Sequence, residues 1–252
     1  MILRVGALVI VAASLAGCSS SSRHASGSLS GSITVYAAAS LTDTFTALAK
    51  HFEAAHPGTH VTLNLGPSSE LATGITNGAP ADVFASASGK TMTAVVSAGE
   101  ANSSRNFVKN TMEIAAAPGN PAHIASVADL GSKAVKVALC APTVPCGAVA
   151  AQVFTNAHVS VKPVSLEVDV KATLAKVELG EVDAGVVYVT DVKAAGAKVV
   201  GVPIPDAINA STEYPIATLK HAKNPLLAKA FVDYILSRAA QQMFATAGFG
   251  SP

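Results

Sequence analysis

The sequence predicts an α/β protein in which two lobes, each a mainly parallel sheet flanked by helices, enclose a cleft. Three observations predict it. Short β-type runs alternate with helical patterns along almost the whole chain, as expected of parallel strands joined by crossover helices. The alternation comes in two successive series. Several strand ends also turn into helices through small and hydroxyl-bearing residues, where open α/β sheets receive ligands.

The first series begins at Ile33–Tyr36, an apolar strand. Thr42–Ala55 follows as a helix, because Phe45, Leu48, Ala49 and Phe52 recur at the spacing of one buried face, and Pro57-Gly58 ends it. His60–Leu65 alternates as a strand, Ser68–Asn77 reads as a helix stopped near Gly78, Asp82–Ser86 as a strand and Lys90–Ser97 as a helix. In the second series Met112–Ala117 and Val135–Leu139 are strands, and Gly147–Ala157 is a helix. Leu166–Val168 is extended, Val170–Glu178 helical, and Gly185–Val189 and Lys198–Ile204 are strands. Tyr214–Leu219 is the last strand, and one helix over Asn224–Ala245 carries Leu227, Ala230, Phe231 and Tyr234 on a single stripe.

The N-terminus has a different character. Met1-Ile2-Leu3-Arg4 places a positive charge before an apolar run, Val5–Leu15, that is too short to span a bilayer comfortably. This pattern reads as a signal peptide. Its ending, Leu15-Ala16-Gly17-Cys18, resembles a bacterial lipobox, so residues 1–18 are expected to be a lipoprotein signal with Cys18 lipidated. The alternative is an ordinary secretory signal with an incidental cysteine; the small residues and the serine-rich run that follows favour the lipobox. Residues 19–32, almost without apolar side chains, read as a flexible tether. Export makes a disulfide between Cys140 and Cys146 admissible, with two buried free thiols as the other reading, since sequence alone cannot give their separation.

The chain has 252 residues, 13% of them charged, with a formal net charge of +1. No basic footprint points to nucleic acid. Any anion bound here must be held by local geometry. The first turn of a helix supplies it: up to four N–H groups lack intrahelical partners, and the helix dipole adds partial positive charge. Ala38-Ala39-Ser40 precedes one helix, Gly66-Pro67-Ser68-Ser69 another, Pro145-Cys146-Gly147 a third and Asp169-Val170 a fourth. Taken singly, Ser40 or Thr42 would read as a helix cap; four such junctions together make an anion cage.

Val35-Tyr36-Ala37-Ala38-Ala39-Ser40-Leu41, Gly78-Ala79-Pro80-Ala81-Asp82-Val83-Phe84-Ala85-Ser86-Ala87 and Gly185-Val186-Val187-Tyr188 resemble the molybdate-binding proteins of bacterial ABC importers, over about Ile33 to Gly248. The second element is shared with other solute-binding proteins of the same fold. The resemblance implies a two-lobed type II periplasmic-binding-protein fold with the ligand in the cleft. It implies that Ser40 and Ser68 give hydroxyl and amide to the oxyanion, that Cys146 and Val170 give amides, and that the Tyr188 hydroxyl closes the site. Two departures stand out. Val144-Pro145-Cys146-Gly147 has cysteine where the family has alanine, and Gly66-Pro67 precedes the second serine, leaving Ser69 as the fallback for Ser68. Neither Asp43 nor Asp169 suits a site for a dianion, so both are expected to serve helix starts and point away.

Other readings make distinct demands. A ferric-ion site of the same fold would bring adjacent tyrosines, whereas the four tyrosines here are not neighbours in sequence. Sulfate or phosphate remains an alternative ligand, phosphate being able to use an acceptor such as Asp43 or Asp169. An exported serine hydrolase needs a positioned base and usually a G-x-S-x-G turn, which is absent. His51, His56 and His60 do not share one helical face, which argues against a metal site. A surface scaffold without a ligand would leave the hydroxyl-bearing turns unexplained.

The reading is therefore a monomeric, non-enzymatic binding protein without a cofactor, lipid-anchored outside the cytoplasmic membrane, delivering molybdate or tungstate to a membrane permease. Lobe 1 is expected to comprise residues 31–111 and 213–252, and lobe 2 residues 112–212.

Overall fold

The computed structural model describes residues 29–252 together with Ile2. The predicted signal peptide, Cys18 and most of the tether lie outside the described residues. Nine strands and eight α-helices follow in chain order among the described residues. In the first part these are β1 (Gly31–Ala38), a 3-10 turn (Ala39–Leu41), α1 (Thr42–Ala55), β2 (Thr59–Gly66), α2 (Ser68–Thr76), β3 (Val83–Ala85) and α3 (Gly89–Ser97). Next come β4 (Arg105–Ala116), β5 (Val137–Cys140), α4 (Pro145–Ala157), β6 (Ser165–Glu167), α5 (Val170–Glu178), β7 (Ala184–Tyr188) and α6 (Val189–Ala195). The chain ends with β8 (Val200–Pro203), β9 (Ser211–Thr218), α7 (Pro225–Ile235) and α8 (Arg238–Ala247).

The strand order is β2-β1-β3-β9-β4-β7-β5-β6, with β8 on the other side of β4. Parallel pairs form the two wings: β1 with β2 and β3, and β5 with β6 and β7. Antiparallel pairs join them through β4 and β9. Arg105–Thr111 of β4 pairs with β9, and from Met112 onward β4 pairs with β7 and β8. β4 therefore changes partners within one continuous strand.

The apolar core follows the same division. One buried cluster draws only on Met112 to Ile204. The others draw on Ile33 to Val108 and on Tyr214 to Phe249. In α1, Phe45, Leu48, Ala49 and Phe52 are buried, as their spacing predicts. Phe45 packs against Phe107, Phe231 and Phe244 with ring centroids 6.0 to 6.3 Å apart. Aromatic pairs at this distance add to the gain from burial. They tie α1 to the strand that crosses between lobes and to the C-terminal helices.

Most element boundaries shift by a few residues from expectation, α6 was not expected at all, and three differences have a physical reason. The strand expected to begin at Met112 begins at Arg105; its polar residues and a register shift between Asn106 and Val108 blur the period-two pattern. The single C-terminal helix is two, because the Ser237 hydroxyl accepts from the Ala240 N–H at 3.3 Å and starts a new helix. The strand expected to run through Val189 stops at Tyr188. The Asp191 carboxylate accepts from the Tyr188 N–H at 3.2 Å and turns the chain directly into α6.

Candidate functional site

Four strand-to-helix turns converge on one cavity lined by Ala38, Ala39 and Ser40, by Gly66, Pro67 and Ser68, by Val144, Pro145 and Cys146, and by Asp169 and Val170. Ala87 and Tyr188 complete the wall. The cavity offers about 20 Å³ to the centre of a water-sized sphere. That suits a compact ion and is too small for a sugar or peptide. All five residues expected to bind are buried, and all five line this space. Ser69 does not line it, and its carbonyl instead accepts from the Thr73 hydroxyl.

Local geometry puts first-turn N–H groups at the cavity wall. Ser40 lies in the 3-10 turn, Ser68 and Val170 are the first residues of α2 and α5, and Cys146 is second in α4. N–H groups at these positions have no intrahelical acceptor. The starts of the 3-10 turn, α1, α2 and α4 carry no side-chain cap. Ser40 and Thr42 therefore do not serve as ordinary caps: Thr42 donates back to the Ala39 carbonyl, and the Ser40 hydroxyl meets the Tyr214 hydroxyl at 2.8 Å. The α5 start is capped, since Asp169 Oδ1 accepts from the Ala172 N–H at 2.8 Å. Asp169 thus borders the cavity while one oxygen of its carboxylate is occupied by the helix.

Ser68 shows how a hydroxyl is turned into a donor. Its oxygen accepts the Ala87 N–H at 3.0 Å, so the proton is directed elsewhere. Tyr188 is more exposed energetically than sterically. Its ring is 1% accessible, yet its hydroxyl has no hydrogen-bond partner among the described residues, even with the Tyr214 phenol beside it. Burial, reinforced by Tyr214 and Asp191, pushes the Tyr188 pKa well above the usual phenol range, so the group stays a protonated donor.

Cys140 and Cys146 are joined by a disulfide, with Cα atoms 5.8 Å apart. It ties the end of β5 to the first turn of α4. Gly147 follows because a Cβ there would lie 2.0 Å from the Ala141 carbonyl oxygen.

No lysine, arginine or histidine lines the cavity. The nearest basic group in sequence to the Asp169-Val170 turn, Lys171, is committed elsewhere: its Nζ lies 2.8 Å from Asp43 and 3.3 Å from buried Asp191. Asp43 is exposed and absent from the cavity wall. Without a histidine neighbour, Ser40 and Ser68 have no base to make them nucleophiles. Among the described residues, no cluster of His, Cys, Asp and Glu could hold a metal ion, and no helix is long and apolar enough to cross a membrane.

Sequence reasoning missed Tyr214 and Ala87, which hold the two serines. Tyr214 belongs to a strand 174 residues from Ser40, and only the crossing of β4 and β9 brings it there. The tyrosines are not neighbours in sequence, but the fold sets Tyr188 and Tyr214 edge to face, with ring centroids 6.1 Å apart.

Residues 33–250 match the bacterial extracellular solute-binding proteins. The chain is 40% identical over 251 residues to the molybdate-binding protein ModA of Mycobacterium tuberculosis, covering 98% of this chain and 96% of that one. The periplasmic molybdate-binding protein of Azotobacter vinelandii superposes with a TM-score of 0.79 at 21% identity, covering 87% of this chain and 99% of the other. The sulfate-binding protein SubI of Mycobacterium tuberculosis superposes with a TM-score of 0.74 at 20% identity, covering 86% of each chain. These last two likenesses concern the fold. The chain belongs to the bacterial extracellular solute-binding proteins, a family of binding proteins rather than enzymes.

Proposed function

We propose that this chain, as a bacterial extracellular solute-binding protein, captures molybdate in the cavity between its lobes for an ABC importer. Tungstate, of nearly the same size and charge, is expected to bind too. The observation that carries the reading is the Tyr188 hydroxyl, buried at the cavity without a hydrogen-bond partner among the described residues. An unsatisfied buried hydroxyl costs about 1–3 kcal/mol, a cost that an acceptor-only ligand removes. The 40% identity with a molybdate-binding protein over nearly the full chain supports the choice of ion.

In this reading Ser40 and Ser68 donate through hydroxyl and amide, Cys146 and Val170 through amides, and Tyr188 through its hydroxyl. A fully ionised tetrahedral oxyanion presents only acceptors, and the wall brings it two serine hydroxyls, a tyrosine hydroxyl and first-turn amides, with one oxygen of the bordering Asp169 carboxylate engaged by its own helix. Each helix start contributes about 0.3–1 kcal/mol when exposed and up to about 2 when partly buried. Convergence in a cavity of buried residues replaces a cationic side chain. Sulfate shares the charge and shape, and a cage cut for a larger ion holds it by longer, weaker hydrogen bonds.

The lobes are taken as residues 31–111 with 213–252, and 112–212, hinging where β4 and β9 cross. The protein would be a monomer, tied outside the cytoplasmic membrane through lipidated Cys18, and would present its closed form to a permease. No cofactor is required, and no bond is broken. Calorimetric titration of the purified protein with molybdate, tungstate, sulfate and phosphate tests the reading. Tight binding of the first two alone is the expected result. Equal or tighter sulfate or phosphate binding would replace the ligand, and silence with all four would end the proposal.

A further inference from the structure

Asp43 and Lys171 are each the second residue of a helix, Asp43 in α1 and Lys171 in α5. An acidic side chain suits the positive end of a helix dipole, so Asp43 fits its place. A lysine in a first turn does not. Where a residue goes against a local rule, a gain elsewhere is expected. Two carboxylates supply it here: Lys171 Nζ lies 2.8 Å from Asp43 and 3.3 Å from Asp191.

The two carboxylates belong to different cores. Val170 and Leu174 of α5 are buried in the cluster that draws on Met112 to Ile204, and Val192 of α6, next to Asp191, packs against it. Phe45 and Leu48 of α1 are buried in another. In the lobe division taken above, Lys171–Asp43 is the one ion pair among the described residues that joins the lobes. The other side-chain hydrogen bonds between lobes among these residues, Asn110 to Thr190 and Thr212 to the Ala87 carbonyl, are made by β4 and β9, the strands that cross in any case. Asp43 stands three residues after Ser40, and Lys171 directly follows Val170. The pair therefore spans the cleft beside two cavity-lining turns, one from each lobe.

We propose that Asp43 and Lys171 are positioning residues that latch the lobes in the closed form and so set how slowly a bound ion is released. Neither lines the cavity, and both act through closure. When the lobes part, Asp43 leaves with α1 while Asp191 stays beside Lys171. Opening thus breaks one partly exposed pair and strands no buried charge. A pair of this kind is weak, which suits a latch that must also open. An ion enters the open form, before the pair is made, so the effect falls on release rather than on entry. The inference rests on the binding reading above, and its test separates the two.

Release is timed by loading the purified protein with radiolabelled molybdate and chasing with excess unlabelled molybdate. Association is followed by stopped-flow tyrosine fluorescence, since the chain has no tryptophan and Tyr188 lines the cavity. Asp43→Asn is expected to release the ion about three- to fivefold faster than the wild type, the upper part of the range for exposed ion pairs. Asp43→Ala should match it and serves if the asparagine variant does not fold. Asp43→Glu keeps the charge and should stay close to the wild type. In about 1 M sodium chloride, where the Debye length is about 3 Å, release from the wild type should approach that from Asp43→Asn.

Unchanged release, a change confined to association, a glutamate variant as fast as the asparagine one, or a difference that salt leaves intact would each overturn the latch while the binding reading stands. A wild type that retains no molybdate removes the binding reading itself, and the latch with it.

Discussion

The ammonium of Lys171, on α5, lies 2.8 Å from the carboxylate of Asp43, on α1. This contact spans 128 residues and bridges the two sides of the cleft, next to the turn that carries Val170. On its other side Lys171 faces Asp191, 3.3 Å away and 1% exposed, although Oδ1 lacks proper hydrogen-bond geometry. Burial alone would lower the Lys171 pKa, but Asp191 and Asp43 outweigh it and raise it. One lysine therefore stabilises a buried charge within one lobe and makes an exposed contact across the cleft.

The two halves of this bridge should respond differently to substitution. Lys171→Met leaves Asp191 buried without its cation and is expected to cost about 3 kcal/mol at pH 7 by urea unfolding. Asp43→Asn removes a pair that is 64% exposed on the carboxylate side, and should cost no more than about 1 kcal/mol. Equal losses from the two would contradict this division.

Asp191 also predicts a pH dependence. Burial raises its pKa from 3.8 to about 6, against the opposing pull of Lys171. A carboxyl raised in the folded state binds a proton there before the unfolded chain does. Its contribution to stability therefore increases as pH falls from about 6 toward 3.8, and is lost again as pH rises through about 6. Asp191→Asn keeps an acceptor for the Tyr188 N–H and should flatten this component of a stability profile between pH 4 and 7.

Tyr188→Phe should separate binding from stability. Removing an unpartnered buried hydroxyl is expected to leave the ligand-free protein as stable as before, or up to about 2 kcal/mol more so. Molybdate affinity should fall by about 10- to 100-fold, the worth of one hydrogen bond to a charged group. Thermal melting without ligand and calorimetry with it measure the two effects. A variant weakened in both would place Tyr188 in the core rather than in the site.

The disulfide closes a short loop with a sequence separation of 6. Its removal in Cys140→Ala/Cys146→Ala is expected to cost about 2 kcal/mol of stability. It should also weaken anion binding, because the turn it holds carries the Cys146 amide. Reductant should lower the melting temperature of the wild type and leave that of the double variant unmoved.

Gly147→Ala offers a sharper test of the same turn. The new Cβ would meet the Ala141 carbonyl oxygen at 2.0 Å, a backbone atom that cannot swing aside, one residue after cavity-lining Cys146. The helix start must shift, at a cost of about 1–3 kcal/mol. Loss of molybdate binding beyond the loss of stability is the expected signature, read by calorimetry on the folded fraction.

Much of the local structure was legible in the chain. The Phe45-Leu48-Ala49-Phe52 stripe marks α1 because helical spacing and burial coincide there. The strand-to-helix turns at Ser40, Ser68, Cys146 and Val170 were legible because small residues and hydroxyls cluster just where a periodic strand ends. The start of β4 was not, since Arg105, Asn106, Lys109 and Asn110 interrupt the apolar alternation and the pairing carries a bulge. The break at Ser237 was hidden because Ser is tolerated within helices, and its hydroxyl becomes a cap only when the following helix packs in a new direction.

What the sequence by itself determined is four strand ends that turn into helices through small residues and two serines, with no cation at those turns, whereas Tyr188 entered only through the family resemblance. These follow from local rules, namely spacing, chain geometry and the open N–H groups of a first turn. The tertiary structure decided which way those donors point. Ala87 reaches Ser68 across 19 residues, Tyr214 reaches Ser40 across 174, and Lys171 reaches Asp43 across 128. Each partner is buried or positioned by elements distant in sequence, and hydrogen-bond direction depends on what stands behind the donor. The Ala87 contact forms within one wing, through β2 and β3 on either side of β1, whereas the other two require β4 and β9 to bring the two wings of the sheet together.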